Sequence, residues 1–397
     1  MLRKSLLLKL FDGFSIQRWN DKIRPVRLTE MDKNAHKMVI AYCLAKYEEM
    51  KRPNKVKWGK IIKGGVFELL RRVVISDIKS PIYRKIRVDH KREFKALNKW
   101  VFKKLDPCLP DEKLKNELRS YLLEEHSLDE LSERILTASH IYASYWEFKI
   151  IKQTNPEGYQ IREIDKLINN DIEAYLDLDG MKKIIAKTRV ADFIDLFGQL
   201  RFQVRWSQTP RIPATSVLGH SMMVACLSYF LSRQVRACRK RVYNNFFGGL
   251  FHDLPEAVTR DIISPVKTAT PDMPKIIENI ERELAEKEIL PLLETEWHNE
   301  IKYFTNDFES SRILKGKRIR KVTSEEINNR FNKDEFNPID GEIIKASDHL
   351  AAFIEAYISK EAGIGTKSLE DGMQELKKKY ENCKIAGINI DSIYADF

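Results

Sequence analysis

The sequence predicts an all-α protein built from two tandem copies of one helical fold. Three observations lead there. Long stretches are rich in Leu, Ile, Glu and Lys, which favour helix when several share a window. The 16 Gly and 14 Pro are too few for a sandwich of many tight turns. Short sequence features also recur along the 397-residue chain, the mark of a duplicated domain.

The recurrence is detailed. Gly64-Gly65-Val66-Phe67-Glu68-Leu69 parallels Gly248-Gly249-Leu250-Phe251-His252-Asp253. Each run has a similar sequel, Ser76-Asp77-Ile78-Lys79-Ser80-Pro81 and Arg260-Asp261-Ile262-Ile263-Ser264-Pro265. Arg18-Trp19 and Arg205-Trp206 stand upstream. His36 precedes Glu68 by 32 positions and His220 precedes His252 by 32, which pairs the two histidines. Both precede their copy's aspartate, Asp77 or Asp261, by 41. Downstream, Ala138-Ser139-His140 matches Ala346-Ser347-Asp348, with about 24 extra residues in the second copy. These intervals assign residues 1–155 to the first copy, 156–190 to a connecting helical segment and 191–397 to the second. The extra residues fall around Phe304–Phe336, in an insertion that includes the basic run Lys315–Lys321 and stands where it can cover a pocket.

Taken in order, the N-terminal MLRKSLLLKLFDGF reads as an amphipathic helix. Its apolar run is broken by Lys9 and Asp12, and no small-residue cleavage site follows. No apolar stretch reaches the roughly 20 residues of a membrane span, so no membrane partner is expected. Five cysteines without a CxxC pair favour a reducing cytoplasm over a disulfide framework. Residues 1–190 carry 40 Lys and Arg against 27 Asp and Glu, and residues 191–397 carry 29 against 31, so the net charge of +11 belongs to the first half. Within it, residues 51–120 hold 21 basic and 8 acidic side chains. The plain reading is a solvated lysine-rich surface. The sharper one is a patch for an acidic or nucleic-acid partner.

The second copy carries the chemistry. Ser221–Leu231 (SMMVACLSYFL) reads as a buried helix with His220 at its start, Asn245–Val258 as another helix broken near Pro255, and Ala346–Tyr357 as a third. Histidines and carboxylates from separate helices can meet inside a bundle and hold one divalent cation. Imidazole with carboxylate suits a first-row transition metal, with Mn, Co, Fe, Ni and Zn all open. Glu256 lies four residues after His252 and three after Asp253, which on a continuous helix puts its carboxylate on the same face as a proton acceptor or donor. The first copy has Glu68, Leu69, Arg72 and His140 where the second has His252, Asp253, Glu256 and Asp348. Leu69 cannot bind a metal and Arg72 adds a fixed positive charge, so this copy reads as a scaffold without a metal site. His349, His298 and the Phe246-Phe247 pair read as structural.

The second copy resembles the HD superfamily of phosphohydrolases, and within it the bacterial 5′-deoxyribonucleotidases. The resemblance runs from about Phe197 to Tyr357 and rests on Arg205-Trp206, His220-Ser221, His252-Asp253-Leu254-Pro255-Glu256 and the stretch Thr259 to Lys267. It implies His220, His252, Asp253 and Asp348 as metal ligands and Glu256 as the catalytic carboxylate. Asp261 would orient the sugar or the attacking water, Arg205 with Lys267 would offset phosphate charge, and Trp206 would pack on the sugar. The implied activity is release of phosphate from a nucleoside monophosphate. An HD-type phosphodiesterase, a guanosine polyphosphate hydrolase and a nucleotide-sensing regulatory module are the alternatives. Family members are single-domain chains that pair as homodimers, so two fused copies, one degenerate, are expected to pack as an intrachain pseudo-dimer.

Overall fold

In the computed structural model, which describes every residue except 1, 125–126, 263–265, 267–268 and 317, the apolar side chains Leu6, Leu7, Leu10 and Phe11 are buried along helix α1 (Lys4–Phe11). This is the amphipathic helix expected at the N-terminus. The chain is 69% helical. It divides into two units, residues 1–178 with 396–397, and residues 179–395.

The first unit is organised around α2 (Glu30–Lys51), which is buried on all sides from Glu30 to Ala45. Thr29 caps it by accepting the Asp32 amide at 3.2 Å. α3 (Trp58–Ile75) and α7 (Glu130–Thr154) pack on α2. Gly65 makes the close approach of α3 possible, because a Cβ there would collide with the Met38 sulfur. Helices α4 (Ser80–Asp89), α5 (Lys91–Leu105) and α6 (Glu112–Leu123) lie beyond α3. α8 (Ile161–Glu173) adds Ile161 to a core of Leu28, Phe148 and Ile151.

The second unit begins with α9 (Asp179–Ile185) and α10 (Arg189–Gly198) and is organised around α11 (Val217–Gln234), buried from Val217 to Ser232. Ser216 caps α11 by accepting the Gly219 amide at 2.9 Å. α12 (Arg239–Phe251) crosses α11 closely, since a Cβ on Gly249 would stand 3.1 Å from the Ala225 Cα. After α12 the chain forms α13 (Glu256–Thr259), α14 (Met273–Leu284) and α15 (Thr295–Thr305). The expected insertion holds a hairpin of β1 (Arg312–Lys315) and β2 (Arg318–Lys321), paired Arg312 to Lys321 and Lys315 to Arg318. Its last part forms α16 (Ser324–Glu326). Then come α17 (Gly341–Glu361), α18 (Lys367–Lys379), the short pair β3 (Lys384–Ile385) and β4 (Ile388–Asn389), and α19 (Asp391–Ala395). The all-α class therefore stands, with two small hairpins added. Phe246 and Phe247 are fully buried, as a core role requires. Among the described residues no helix is long and apolar enough to cross a membrane.

Two sequence readings need adjusting. The break expected near Pro255 is a full interruption: α12 ends at Phe251 and Glu256 opens the separate α13, so His252, Asp253 and Glu256 do not share the face of one helix. Pro255 stands at the break, where its ring and missing N–H prevent the helix from continuing. The equal intervals also paired the wrong residues. His220 is the fourth residue after its cap, Ser216, and its Nε2 lies 2.8 Å from Asp348. The fourth residue after Thr29 is Lys33, whose Nζ lies 2.6 Å from His140 Nδ1. Lys33, not His36, thus has the surroundings of His220. His36 is buried three residues further along α2, edge-on to Trp146 at 4.9 Å.

Candidate metal centre

α11, α17 and the end of α12 bring His220, Asp348 and His252 together, and one ligand atom from each lies within 4.8 Å of the others. His252 follows α12 directly, and its Nδ1 is 2.8 Å from the Gly249 carbonyl. A carbonyl only accepts, so Nδ1 carries the proton and Nε2 presents its lone pair. His220 Nδ1 faces the Glu355 carboxylate at 3.3 Å, which leaves its Nε2 on the side of Asp348. Partners behind a ligating histidine orient the ring in this way in metal sites.

Asp253 is the fourth expected ligand. Its Oδ2 is buried, lies 3.2 Å from His252 Nε2 and faces the Arg205 guanidinium at 3.8 Å, and Asp253 stands outside the group of three ligand atoms that meet. The two imidazoles and the Asp348 carboxylate form a donor set suited to a divalent transition metal, so these residues fit such an ion. Glu256, at the start of α13, is buried close after the dyad. Gln203 holds the loop that follows: its side-chain amide donates to the Glu256 carbonyl at 2.9 Å, and its oxygen accepts the Asp261 amide at 3.1 Å. Asp261 is half-buried there. Lys267 lies outside the described residues.

Glu355, which the sequence reading passed over, is the hub of the site. Its Oε2 accepts from the Trp206 indole at 2.8 Å and faces Arg205 Nε at 3.4 Å. Its Oε1 accepts from Thr215 at 3.0 Å and faces His220. The signal for it was present: Glu355 follows Asp348 by seven residues, two helical turns along one face of α17. Arg205 also reaches toward Asp253, with Nη1 3.8 Å from Oδ2, and its side chain keeps 15% of its exposure. Trp206 has φ +59°, unusual for a bulky residue. The neighbouring Arg205 amide on Thr215 O at 3.0 Å and the indole on Glu355 hold it there. Phe308, in the insertion, lies 5.2 Å from the His252 ring, so the insertion does reach the site.

The charges are strongly coupled. Burial would raise the pKa of Asp348, but His220, His252 and Arg205 hold it far below the carboxylate range. Glu355 is likewise held down against burial by Arg205, Arg211 and His220. Asp253 is lowered by His252, His220 and Arg205 despite burial. For His220, burial and Arg205 act downward, but its hydrogen bonds to Asp348 and Glu355 prevail and raise it to about 8.

Residues 197–377 match the family model described as HD domain. This part of the chain is similar to HD domains. No curated protein and no solved structure matches the chain. HD domains form a superfamily of metal-dependent phosphohydrolases, and His220, His252 and Asp348 of this part of the chain meet as a divalent-metal site would need.

In the first unit a different set of side chains gathers beside α2. Lys33 and His140 face each other at 2.6 Å, and burial with neighbouring cations pushes both pKa values well down. Arg72 Nε lies 3.8 Å from Glu30 and 3.6 Å from Glu68. Leu69 is fully buried. Among the described residues the only candidate metal group is that of the second unit.

Proposed function

We propose that the HD domain is a 5′-nucleotidase-like phosphomonoesterase, which removes phosphate from a (deoxy)nucleoside monophosphate. The observation that carries this reading is Arg205-Trp206, fixed by Glu355 beside the ligand set. Arg205 sits partly open at the edge of the ligand cluster, where its fork of donors can take phosphate oxygens. Trp206 offers a rigid apolar wall for a sugar face. Lys267 would add a second cation for phosphate. His220, His252, Asp253 and Asp348 would hold one divalent metal, which supplies a lowered pKa to the attacking water and charge stabilisation to the phosphoryl group. Glu256 would take the proton from that water and return it to the leaving oxygen. Asp261 would orient the sugar or the water.

In the same reading, residues 1–155 are a degenerate copy without metal, residues 156–190 connect the two, and residues 191–397 form the active domain. The two copies would pair inside one chain as a pseudo-dimer. What supports the likeness of the two copies, though not their pairing, is a set of contacts that each unit makes within itself. Trp19 has φ +54° and its indole donates to Glu147 at 2.9 Å, as Trp206 does to Glu355. Ser139 donates to Ile135 O at 2.7 Å and Ser347 to Ile343 O at 2.8 Å.

Metal-loaded protein should be screened against nucleoside monophosphates, diphosphates, cyclic nucleotides and guanosine polyphosphates, with release of phosphate as the readout. Hydrolysis of monophosphates ahead of the rest is expected, with about one metal per chain in the parent and almost none in His252→Ala. Preference for a cyclic nucleotide or a polyphosphate would replace this reading with a phosphodiesterase or polyphosphate hydrolase.

A further inference from the structure

α4 and α5 of the first unit carry a concentration of positive charge that the proposed chemistry does not use. Between Lys79 and Lys104 there are 10 Lys and Arg against 2 acidic residues. Lys79, Arg84 and Arg87 are answered by Asp21, Asp171 and Glu133. The other seven, Lys85, Lys91, Arg92, Lys95, Lys99, Lys103 and Lys104, are exposed and have no ion-pair partner among the described residues. Four of them, Lys91, Lys95, Lys99 and Lys103, recur every four residues along α5, which spaces them about 6 Å apart in a slowly turning row.

Such a row is electrostatically unfavourable for the isolated unit, since like charges at this spacing repel. It matches a partner with regularly spaced negative charge. Trp100 stands on the same exposed side of α5, 45% exposed, with Lys104 Nζ 5.9 Å from its ring. A large aromatic surface left open among lysines suits a partner that presents flat rings as well as anions. A membrane would instead require a continuous apolar face. The apolar side of α5, with Val101, Phe102 and Leu105, is buried within the unit, and the exposed Ile82 and Val88 are scattered on α4. An acidic peptide would satisfy the lysines without using the ring.

We propose that the α4–α5 face binds single-stranded nucleic acid, with the lysine row along the phosphates and Trp100 stacked on a base. Aromatic stacking combined with a basic track is the general means by which proteins hold single strands without sequence preference. The site is independent of the metal centre and does not rest on the nucleotidase reading.

Fluorescence anisotropy of a labelled 20-nucleotide oligothymidylate with the full chain, in chelator to silence hydrolysis, tests it. Binding in 50 mM salt is expected. K95E/K99E/K103E should weaken it at least tenfold and flatten the slope of log K against log salt by about 2, the release expected from three phosphate contacts. Trp100→Ala should weaken it about 5- to 100-fold with the salt slope unchanged. K367E/K378E/K379E, which makes the same charge change on α18, should stay within threefold of the parent. Thermal melts keep folding separate from binding. The proposal is overturned if the parent does not bind, if the α5 triple variant binds like the parent, or if the α18 variant weakens equally. Binding to phosphatidylserine vesicles or to polyglutamate, with none to the oligonucleotide, overturns it as well.

Discussion

Each unit surrounds one central helix with the same kind of buried polar hub, yet the two hubs hold different charges. In the second unit, Arg205 and Trp206 lean on Glu355, and the space beyond is bordered by His220, His252 and Asp348, with Asp253 beside His252. In the first, Arg18 and Trp19 lean on Glu147 at 3.0 and 2.9 Å, and the space beyond is filled by Lys33, Arg72 and His140. One unit gathers carboxylates and imidazoles that call for a cation. The other supplies cations of its own from side chains. The difference teaches that the frame and the metal chemistry are separable: the guanidinium groups of Arg18 and Arg72 can neutralise the buried acids beside them.

The comparison can be broken most decisively at Glu256. Glu256→Ala should keep the metal and lower kcat by about 10²–10⁴-fold, the usual share of a general acid–base group. Metal analysis alongside steady-state rates checks it, and a rate within a few-fold of the parent would remove Glu256 from the mechanism.

Acid is the next lever, and it acts on the first unit. Burial would raise the pKa of Glu30, but Arg18, Arg72 and Lys33 lower it from 4.5 to about 2. The folded value is depressed, so Glu30 contributes stability that is present above pH 4.5 and lost as pH falls through about 2. The contribution is on the order of 3 kcal/mol above that window, or roughly 10² in the folding equilibrium. Hydrogen exchange of α2 amides should show Glu30→Gln less protected than the parent at pH 6, with the gap closing toward pH 2. A gap that widens in acid would contradict the assignment.

Glu355→Ala sharpens the comparison at the hub. Groups behind metal ligands typically cost 10–100-fold in affinity or activity when removed. Metal affinity is expected to fall by that amount, while His252 keeps its own orienting carbonyl. The smallest effect is expected at Lys33. Lys33→Met should leave turnover within twofold, because the first unit supplies no metal ligand, and a large loss of kcat would mean that this unit takes part in the chemistry.

The helices bearing His220, His252 and Asp348 were legible in the sequence because histidine and aspartate on long apolar runs have few structural uses. What failed was register. Equal spacing from His36 to Glu68 and from His220 to His252 suggested a pairing, but helix position is counted from the cap, and Thr29 and Ser216 place Lys33 opposite His140 and His220 opposite Asp348. The break near Pro255 was legible, but the face shared by His252, Asp253 and Glu256 was not, because α12 ends at Phe251 and Glu256 starts a separate helix. Glu355 was overlooked because a glutamate on a helix usually faces water. Its counterpart Glu147, seven residues after His140, would have exposed it. The hairpin at Arg312–Lys321 resisted reading because β2 is exposed on both faces and lacks the alternation that marks a strand.

The carbonyl of Gly249 and the carboxylate of Glu355 set the orientation of His252 and His220 through bonds the chain makes to itself. Each ring is therefore oriented by a group of the chain itself, so the aim of a ligand nitrogen can be altered at Glu355 without touching the ligand.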